Sequence, residues 1–518
     1  MSKIASCFLS VFVCVGLLAA TLVETQPLFA AGMQRGGTLT LARPEEPMSL
    51  DPFMPSDNGS IYAIAQVCEP LVLADEAGTG LEPGLASSWT TSPDLLTYIF
   101  TLRENVKFSD GQPMTSDDVV FSLGKAMDPA ASYGFAFAPV KSVDIIDDGH
   151  VRIRLQTPYT PLLSALSLFA ASIVEKAIYV KGADTFGTKP VCTGPFTVEN
   201  YERGSQVVLV PNRYYWRTGV DGKPLPYLDK VVLKYIPDNN SRVLELRNGV
   251  VDVALSVPLN LASTIQAWPG ISLEASRSYR LDYVYLNHNK RPLDDKRIRL
   301  AMNYAANRPA IMKVVYFGYG EIPNSFTPKV NYWTSDVLPI PYDLKKASAL
   351  VNEARYDGTP IHLMIDSGNS PSRQIAIILQ AAWTEIGLKV DIVQYDGGTA
   401  FDMAEKGDYQ SYVNYITSDV NDIDETVTLE GDRAGATGAF FSWYKNDAVL
   451  ALIAKARQTP DGVNRSALYE KIQDIVYHDG YSVPLNFLPY VNGYKNKVRN
   501  WRNIAVGWWW LDQVWLDH

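Results

Sequence analysis

Two spacings alternate along this chain. Residues 151–156 read Val-Arg-Ile-Arg-Leu-Gln, which places Val151, Ile153 and Leu155 on one face of a strand. Val143-Asp144-Ile145-Ile146 leads into it through Asp147-Asp148-Gly149-His150, and this predicts a hairpin. Residues 98–102 read as a further strand. Thr115 marks a helix start: its hydroxyl can accept from the amide near Asp118, whose carboxylate suits the positive helix end. Val119, Val120 and Leu123 then supply the buried stripe. The pattern changes after Tyr283. Asp294 or Asp295 caps a helix in which Ile298, Met302 and Ala305 recur at helical spacing. Residues 361–365 form an apolar strand, and Ser370-Pro371 opens a helix with proline at its first position. Ile375, Ile378, Leu379 and Ala382 line one side of it, Gly387 ends it, and residues 388–393 are the next strand. A strand–helix–strand unit implies parallel strands with a right-handed crossover, so the fold class expected for this part is α/β. Residues 411–416 form one more strand, and Thr417-Ser418-Asp419 is the turn after it.

The N-terminus has no period. Residues 4–22 are almost wholly apolar or small, Lys3 precedes them, Glu24, Gln26 and Pro27 break the run, and Phe29-Ala30-Ala31 offers small residues for cleavage. This predicts a signal peptide over residues 1–31. An uncleaved anchor is the alternative, since the run is just long enough to span a bilayer. A length of 518 residues exceeds what one core usually holds, so two or more lobes are expected. The net charge of −10 argues against nucleic acid as a partner. Removing the signal leaves two of four cysteines, Cys68 and Cys192. Export permits a disulfide between them, and two small buried thiols are the equal alternative. There is no CxxC, so no zinc or redox motif is written here. Asp419, Asn421, Asp422 and Asp424 do not follow calcium-loop spacing, and no metal site is expected. A P-loop, G-x-S-x-G and H-E-x-x-H are all missing, and the five histidines, 150, 288, 362, 478 and 518, are scattered. Paired carboxylates are plentiful, so an exported hydrolase remains the competing class.

Several ordered segments narrow the choice. They are Gly36-Gly37-Thr38-Leu39, Leu50-Asp51-Pro52, Glu69-Pro70-Leu71-Val72, residues 108–119 (FSDGQPMTSDDV), Thr193-Gly194-Pro195-Phe196, and residues 293–299 followed by Met302-Asn303-Tyr304-Ala305. In order and spacing this set resembles the family 5 extracellular solute-binding proteins of bacterial ABC importers, whose members bind dipeptides, oligopeptides or nickel. Cys192 stands where that family usually has glycine. The resemblance implies a two-lobed periplasmic-binding-protein-like fold with a hinge of two chain crossings. Lobe one would be residues 33–283 plus 486–518, and lobe two residues 284–485. It implies a periplasmic, monomeric receptor that hands a small solute to a permease and ATPase complex in the inner membrane, with no catalytic residue and no cofactor.

For the site, the resemblance places Asp419 where peptide-binding relatives have an aspartate that receives the peptide's amino terminus. Ser418, Thr417 and Tyr415 accompany it. Tyr415 stands where tryptophan is common, and Val420-Asn421-Asp422-Ile423 departs from the family's Y-P-D-P. A buried cation needs a paired carboxylate, which gives Asp419 its physical rationale. Arg373 lies in the first turn of the helix after a strand, at the carboxyl edge where α/β sheets bind ligands. A cation there opposes the helix dipole, and an anionic solute group would relieve the conflict. A family arginine at a similar place receives the carboxylate of short peptides. Tyr133, Tyr412, Tyr415, Trp443 and Trp508–Trp510 are candidate stacking walls, and strand alternation would turn Trp509 away from Trp508 and Trp510. Peptide is the solute expected from Asp419, with an opine or glycoside as the alternative.

Overall fold

The helix that Thr115 announces is closed by a reciprocal cap. Thr115 Oγ1 accepts from the Asp118 amide at 3.3 Å, and Asp118 Oδ2 accepts from the Thr115 amide at 2.9 Å. It spans Ser116–Ala126 and buries Val119 and Leu123. The computed structural model from which this is read describes residues 32–517, apart from 56, 76–79, 328–337, 368–369 and 432–440. The expected signal segment lies outside the described residues. The expected hairpin forms from Val140–Asp147 and His150–Leu155, with Val151, Ile153 and Leu155 buried. With Ala86–Thr91 and Thr97–Leu102 it makes a four-stranded antiparallel sheet.

From Gln34 onward the chain forms one unit around two larger sheets. The seven-stranded sheet runs Ile271–Ser276, Tyr490–Lys495, Val253–Ala254, Thr38–Arg43, Lys230–Tyr235, Gln206–Pro211, Phe196–Glu202. The five-stranded sheet runs Val390–Tyr395, Ile361–Asp366, Ser411–Thr417, Arg280–Leu286, Ser482–Phe487. Every strand of the second sheet lies between Arg280 and Phe487, whereas the first draws strands from both sides of that stretch. The backbone therefore passes between the sheets at residues 277–279 and again at 488–489. These passages are tied together. The Ser278 hydroxyl donates to the Leu488 carbonyl, and the Leu488 amide donates to the Arg280 carbonyl at 3.3 Å.

The strand–helix–strand unit sets the geometry of the five-stranded sheet. Ile361–Asp366 pairs in parallel with both Val390–Tyr395 and Ser411–Thr417, so the carboxyl ends of all three strands share one edge. The helix between the first two, Ser370–Glu385, buries Ile375 and Leu379. Gly387 ends it at φ +96°, a left-handed conformation that favours glycine, and the Leu388 amide turns back to the Trp383 carbonyl at 3.0 Å. Trp383 is fully buried and donates from Nε1 to the Met302 carbonyl at 2.9 Å, locking this helix to Lys296–Ala305.

Cys68 and Cys192 form a disulfide across 124 residues of sequence. The same junction explains Gly194: a Cβ there would lie 2.6 Å from the Val67 carbonyl, whose oxygen accepts from the Gly194 amide at 2.9 Å. Cross-linking so long a loop restricts the unfolded chain. The variant carrying both Cys68→Ser and Cys192→Ser is expected to lose about 2–4 kcal/mol of stability, read from guanidinium unfolding. A loss under about 0.5 kcal/mol would show that the bond adds nothing beyond the packing around it.

Candidate functional site

Asp419 follows Ser411–Thr417 at the shared carboxyl edge, where Arg280–Leu286 also begins. It is 8% exposed, and its Oδ2 accepts from the hydroxyl of Tyr133. Burial pushes its carboxyl up to about 6, against the lowering influence of that hydrogen bond. Among the described residues no lysine, arginine or histidine pairs with it. Three tyrosines from outside the five-stranded sheet face it. Besides Tyr133 these are Tyr62, on the helix Asn58–Ile64, and Tyr490, on the strand Tyr490–Lys495, with their hydroxyls 3.4 Å apart. Burial raises the pKa of all three, and the charge of Asp419 raises each further.

The turn itself is held from behind. Glu425, on the helix Ile423–Gly431, accepts from the Ser418 hydroxyl at 2.7 Å and from the Asp419 amide at 2.9 Å. The Ser418 hydroxyl also reaches the Val420 carbonyl at 2.8 Å, and the Tyr279 hydroxyl donates to Asn421 Oδ1 at 2.8 Å. Burial, reinforced by the charge of Asp419, pushes the Glu425 carboxyl up to about 8. The folded state thus holds this proton more tightly than an ordinary glutamate at 4.5, and the fold loses stability as pH rises between those two values. Glu425→Gln cannot ionise. Its melting temperature is expected to match the parent's near pH 4.5 and to exceed it increasingly toward pH 8.5. A difference that stays constant with pH would mean that folding does not shift the Glu425 carboxyl.

At the same sheet edge a second charged group enters from the start of Arg280–Leu286, opposite Thr417. Arg280 Nε donates to Asp282 Oδ1 at 2.6 Å, and Asp282 Oδ2 accepts from the Tyr316 hydroxyl at 2.9 Å. The guanidinium lies 3.9 Å from the centre of the Tyr415 ring. Of the expected residues, the fold brings Asp419, Ser418, Thr417 and Tyr415 to one place, with Ser418 fully buried and Thr417 and Tyr415 half-buried. Arg373 is exposed and donates to Gln394 Oε1 at 3.1 Å.

The aromatic candidates separate. Tyr133 is in the site. Tyr412 is buried against Tyr285 and Tyr409, and Trp443 packs on Gly407. Trp508 and Trp510 line a cavity of about 20 Å³ with Glu69 and Asp512, enough for about one water. Trp509 turns the other way, stacked on Trp501 and edge-on to Tyr62. Tyr62, Arg280, Glu425 and Tyr490 were not foreseen. The one local signal was a pair of charges, Arg280 and Asp282, on one face of a strand otherwise apolar and aromatic.

Known proteins share this architecture. The family model described as bacterial extracellular solute-binding proteins, family 5 middle, matches residues 80–435. The glutathione-binding protein GsiB of Escherichia coli K12 is 28% identical over 448 residues, covering 84% of this chain and 86% of GsiB. The probable D,D-dipeptide-binding periplasmic protein DdpA of the same strain is 28% identical over 482 residues, covering 90% and 92%. The solved structure of the periplasmic binding protein DppA from Helicobacter pylori, in complex with the peptide STSA, superposes with a TM-score of 0.85 at 29% identity, covering 94% of this chain and 99% of DppA.

Proposed function

We propose that this chain, which belongs to the family 5 bacterial extracellular solute-binding proteins, captures a peptide or similar small solute through its free amine, with Asp419 as the amine's partner. Its role is that of the solute-binding component of an ABC importer, delivering to a membrane permease driven by ATPases. The observation that carries the amine reading is a carboxylate 8% exposed, bonded to a tyrosine hydroxyl and matched by no cation of the protein among the described residues. At neutral pH such a group is mostly ionised, and a buried anion is stabilised by a cation that the solute brings. The names of three relatives point the same way: glutathione, a D,D-dipeptide and a tetrapeptide each carry a free amine.

The two passages between the sheets move the expected lobe bounds by a few residues: residues 33–276 with 490–518 act as one lobe and residues 280–487 as the other, hinged at 277–279 and 488–489. The contact of Tyr133 with Asp419 crosses this divide, as do the Thr160 amide and hydroxyl on the carbonyls of Arg457 and Thr459, at 2.8 and 2.9 Å. Closure excludes water, so the few polar contacts to the solute act at low dielectric. The chain works outside the cytoplasm as a monomer after residues 1–31 are removed, a setting that suits the Cys68–Cys192 bond. It binds without turnover.

The test is direct. Solute released from the purified protein by denaturation and identified by mass spectrometry is expected to contain a primary amine. Tryptophan fluorescence titration should then show tight binding of that compound, weak binding of its N-acetyl form, and recovery of the compound unchanged. Equal affinity for the acetylated form would sink the amine reading, and steady product formation would sink the receptor reading.

A further inference from the structure

We infer that Arg280 is a specificity-determining residue of this cleft, receiving an anionic group of the same solute, so that the solute class is a short zwitterion. The inference rests on the reading of Asp419 as the amine's partner.

Its basis is how Arg280 is held. Asp282 takes only the Nε side of the guanidinium, at 2.6 Å, and Asp282 is itself fixed by the Tyr316 hydroxyl at 2.9 Å. The ring of Tyr415 covers one flat face at 3.9 Å. Among the described residues no protein acceptor takes a hydrogen bond from either terminal nitrogen. The side chain is 27% exposed, so it is neither sealed in the core nor free in solvent. An arginine with one edge and one face immobilised and its outer fork open is pre-organised for bidentate recognition of a carboxylate or similar anion. The side-chain entropy that a flexible cation would lose on binding is already spent in the fold.

Its position completes the case. Arg280 is the cross-strand partner of Thr417, and Asp419 lies two residues beyond Thr417. Paired strands put the first two α-carbons about 5 Å apart, and two residues of chain reach about 7 Å further. Both charges act on the Tyr490 hydroxyl: burial raises it most, the Tyr62 hydroxyl and Arg280 lower it, and Asp419 raises it. A carboxylate and a guanidinium that both act on Tyr490, one at each of two paired strand ends, fit a solute whose amine and anion are separated by about two to three residues of extended chain.

The experiment crosses protein and solute variants. A panel of di- and tripeptides, each as free acid, C-terminal amide and N-acetyl acid, is titrated against the parent, Arg280→Gln, Arg280→Lys, Arg373→Gln and Asp419→Asn, and the melting temperature of each protein is recorded. The parent is expected to prefer free acid over amide by about 10- to 100-fold, the size of one charge-assisted pair. Arg280→Gln should abolish that preference while keeping the preference for free amine over N-acetyl. Arg280→Lys should recover only part of it, because a point charge does not reproduce the fork. A purely structural role for the Arg280–Asp282 pair would weaken acid and amide equally and overturn the inference. So would loss of the acid preference in Arg373→Gln with Arg280→Gln unaffected. If Asp419→Asn leaves the free-amine preference intact, or if no member of the panel binds the parent, the Asp419 reading fails and this one falls with it.

Discussion

Asp419→Ala is expected to weaken binding of a free-amine solute by about 2–4 kcal/mol, roughly a 30- to 1,000-fold rise in Kd, while leaving the melting temperature close to the parent's. The size follows from where the charge sits. Truncating one partner of a desolvated pair leaves the other ion uncompensated, and in a closed cleft the solute's ammonium would face only the hydroxyls of Tyr62, Tyr133 and Tyr490. Asp419→Asn keeps the shape and an acceptor for Tyr133, so it isolates the charge. The parent should also show a pH signature. Asp419 titrates near 6, so affinity for an amine should rise as pH climbs through that value and then level. The groups facing it are the three tyrosines, raised to about 12 at Tyr490 and well above 10 at Tyr62 and Tyr133, and Glu425, which holds its proton to about 8. None of them supplies a competing charge between pH 5 and 7. Isothermal titration at pH 5, 6, 7 and 8 reads this. A flat profile, or an unchanged Kd in Asp419→Asn, would remove Asp419 from the contact.

The periodic segments were legible because burial alone decides them. Val151, Ile153 and Leu155 have no alternative face, and Ser370-Pro371 with Gly387 bounds its helix by backbone chemistry that operates locally. The same logic carried Trp509 to the opposite side from Trp508 and Trp510, although no regular strand forms there. The site was legible in its five-stranded half and, from outside that sheet, in Tyr133 alone. Asp419 follows a strand and stands out only through the resemblance of its position to the family's aspartate, whereas Tyr62 and Tyr490 reach the site from far along the chain, through the packing of separate elements. Arg280 was hidden differently. On its own strand it reads as half of an ordinary ion pair with Asp282, and its stacking on Tyr415 exists only once the strands pair. Arg373 was legible from a local argument, its place in the first turn of a helix, and its side chain is exposed and bonded to Gln394. The disulfide could not be read because 124 residues separate its halves, and proximity is a property of the fold.

Asp422→Ala is expected to cost about 3–5 kcal/mol of stability, more than the loss of the disulfide. Asp422 and Asp424, which in sequence invite comparison with a calcium loop, are engaged by arginines. Both oxygens of Asp422 accept from Arg465, at 2.8 and 2.9 Å with each side chain 4% exposed, while Arg457 and the Tyr469 hydroxyl take Asp424. Asp422 Oδ1 also caps the helix Ile423–Gly431 by accepting from the Asp424 amide at 2.9 Å. Burial raises the Asp422 carboxyl despite Arg465, which is the mark of a pair whose desolvation is barely offset by attraction. Removing one member therefore hurts more than removing both. The variant combining Asp422→Asn with Arg465→Met keeps the cap and deletes both charges, and it should regain most of the stability that either Asp422→Ala or Arg465→Met loses alone. Urea unfolding of the parent, Asp422→Asn, Arg465→Met and the double variant gives the coupling energy, and strictly additive losses would show that the two ions do not interact. Asp422 lies three residues from Asp419, and the turn between them is pinned by Asp422 at one end, by Tyr279 on Asn421 and by Glu425 at the other. Asp422→Ala should thus raise the Kd for a free-amine solute without touching it, because the carboxylate that receives the amine is aimed by this turn. The double variant, with the turn held again, should bind as the parent does.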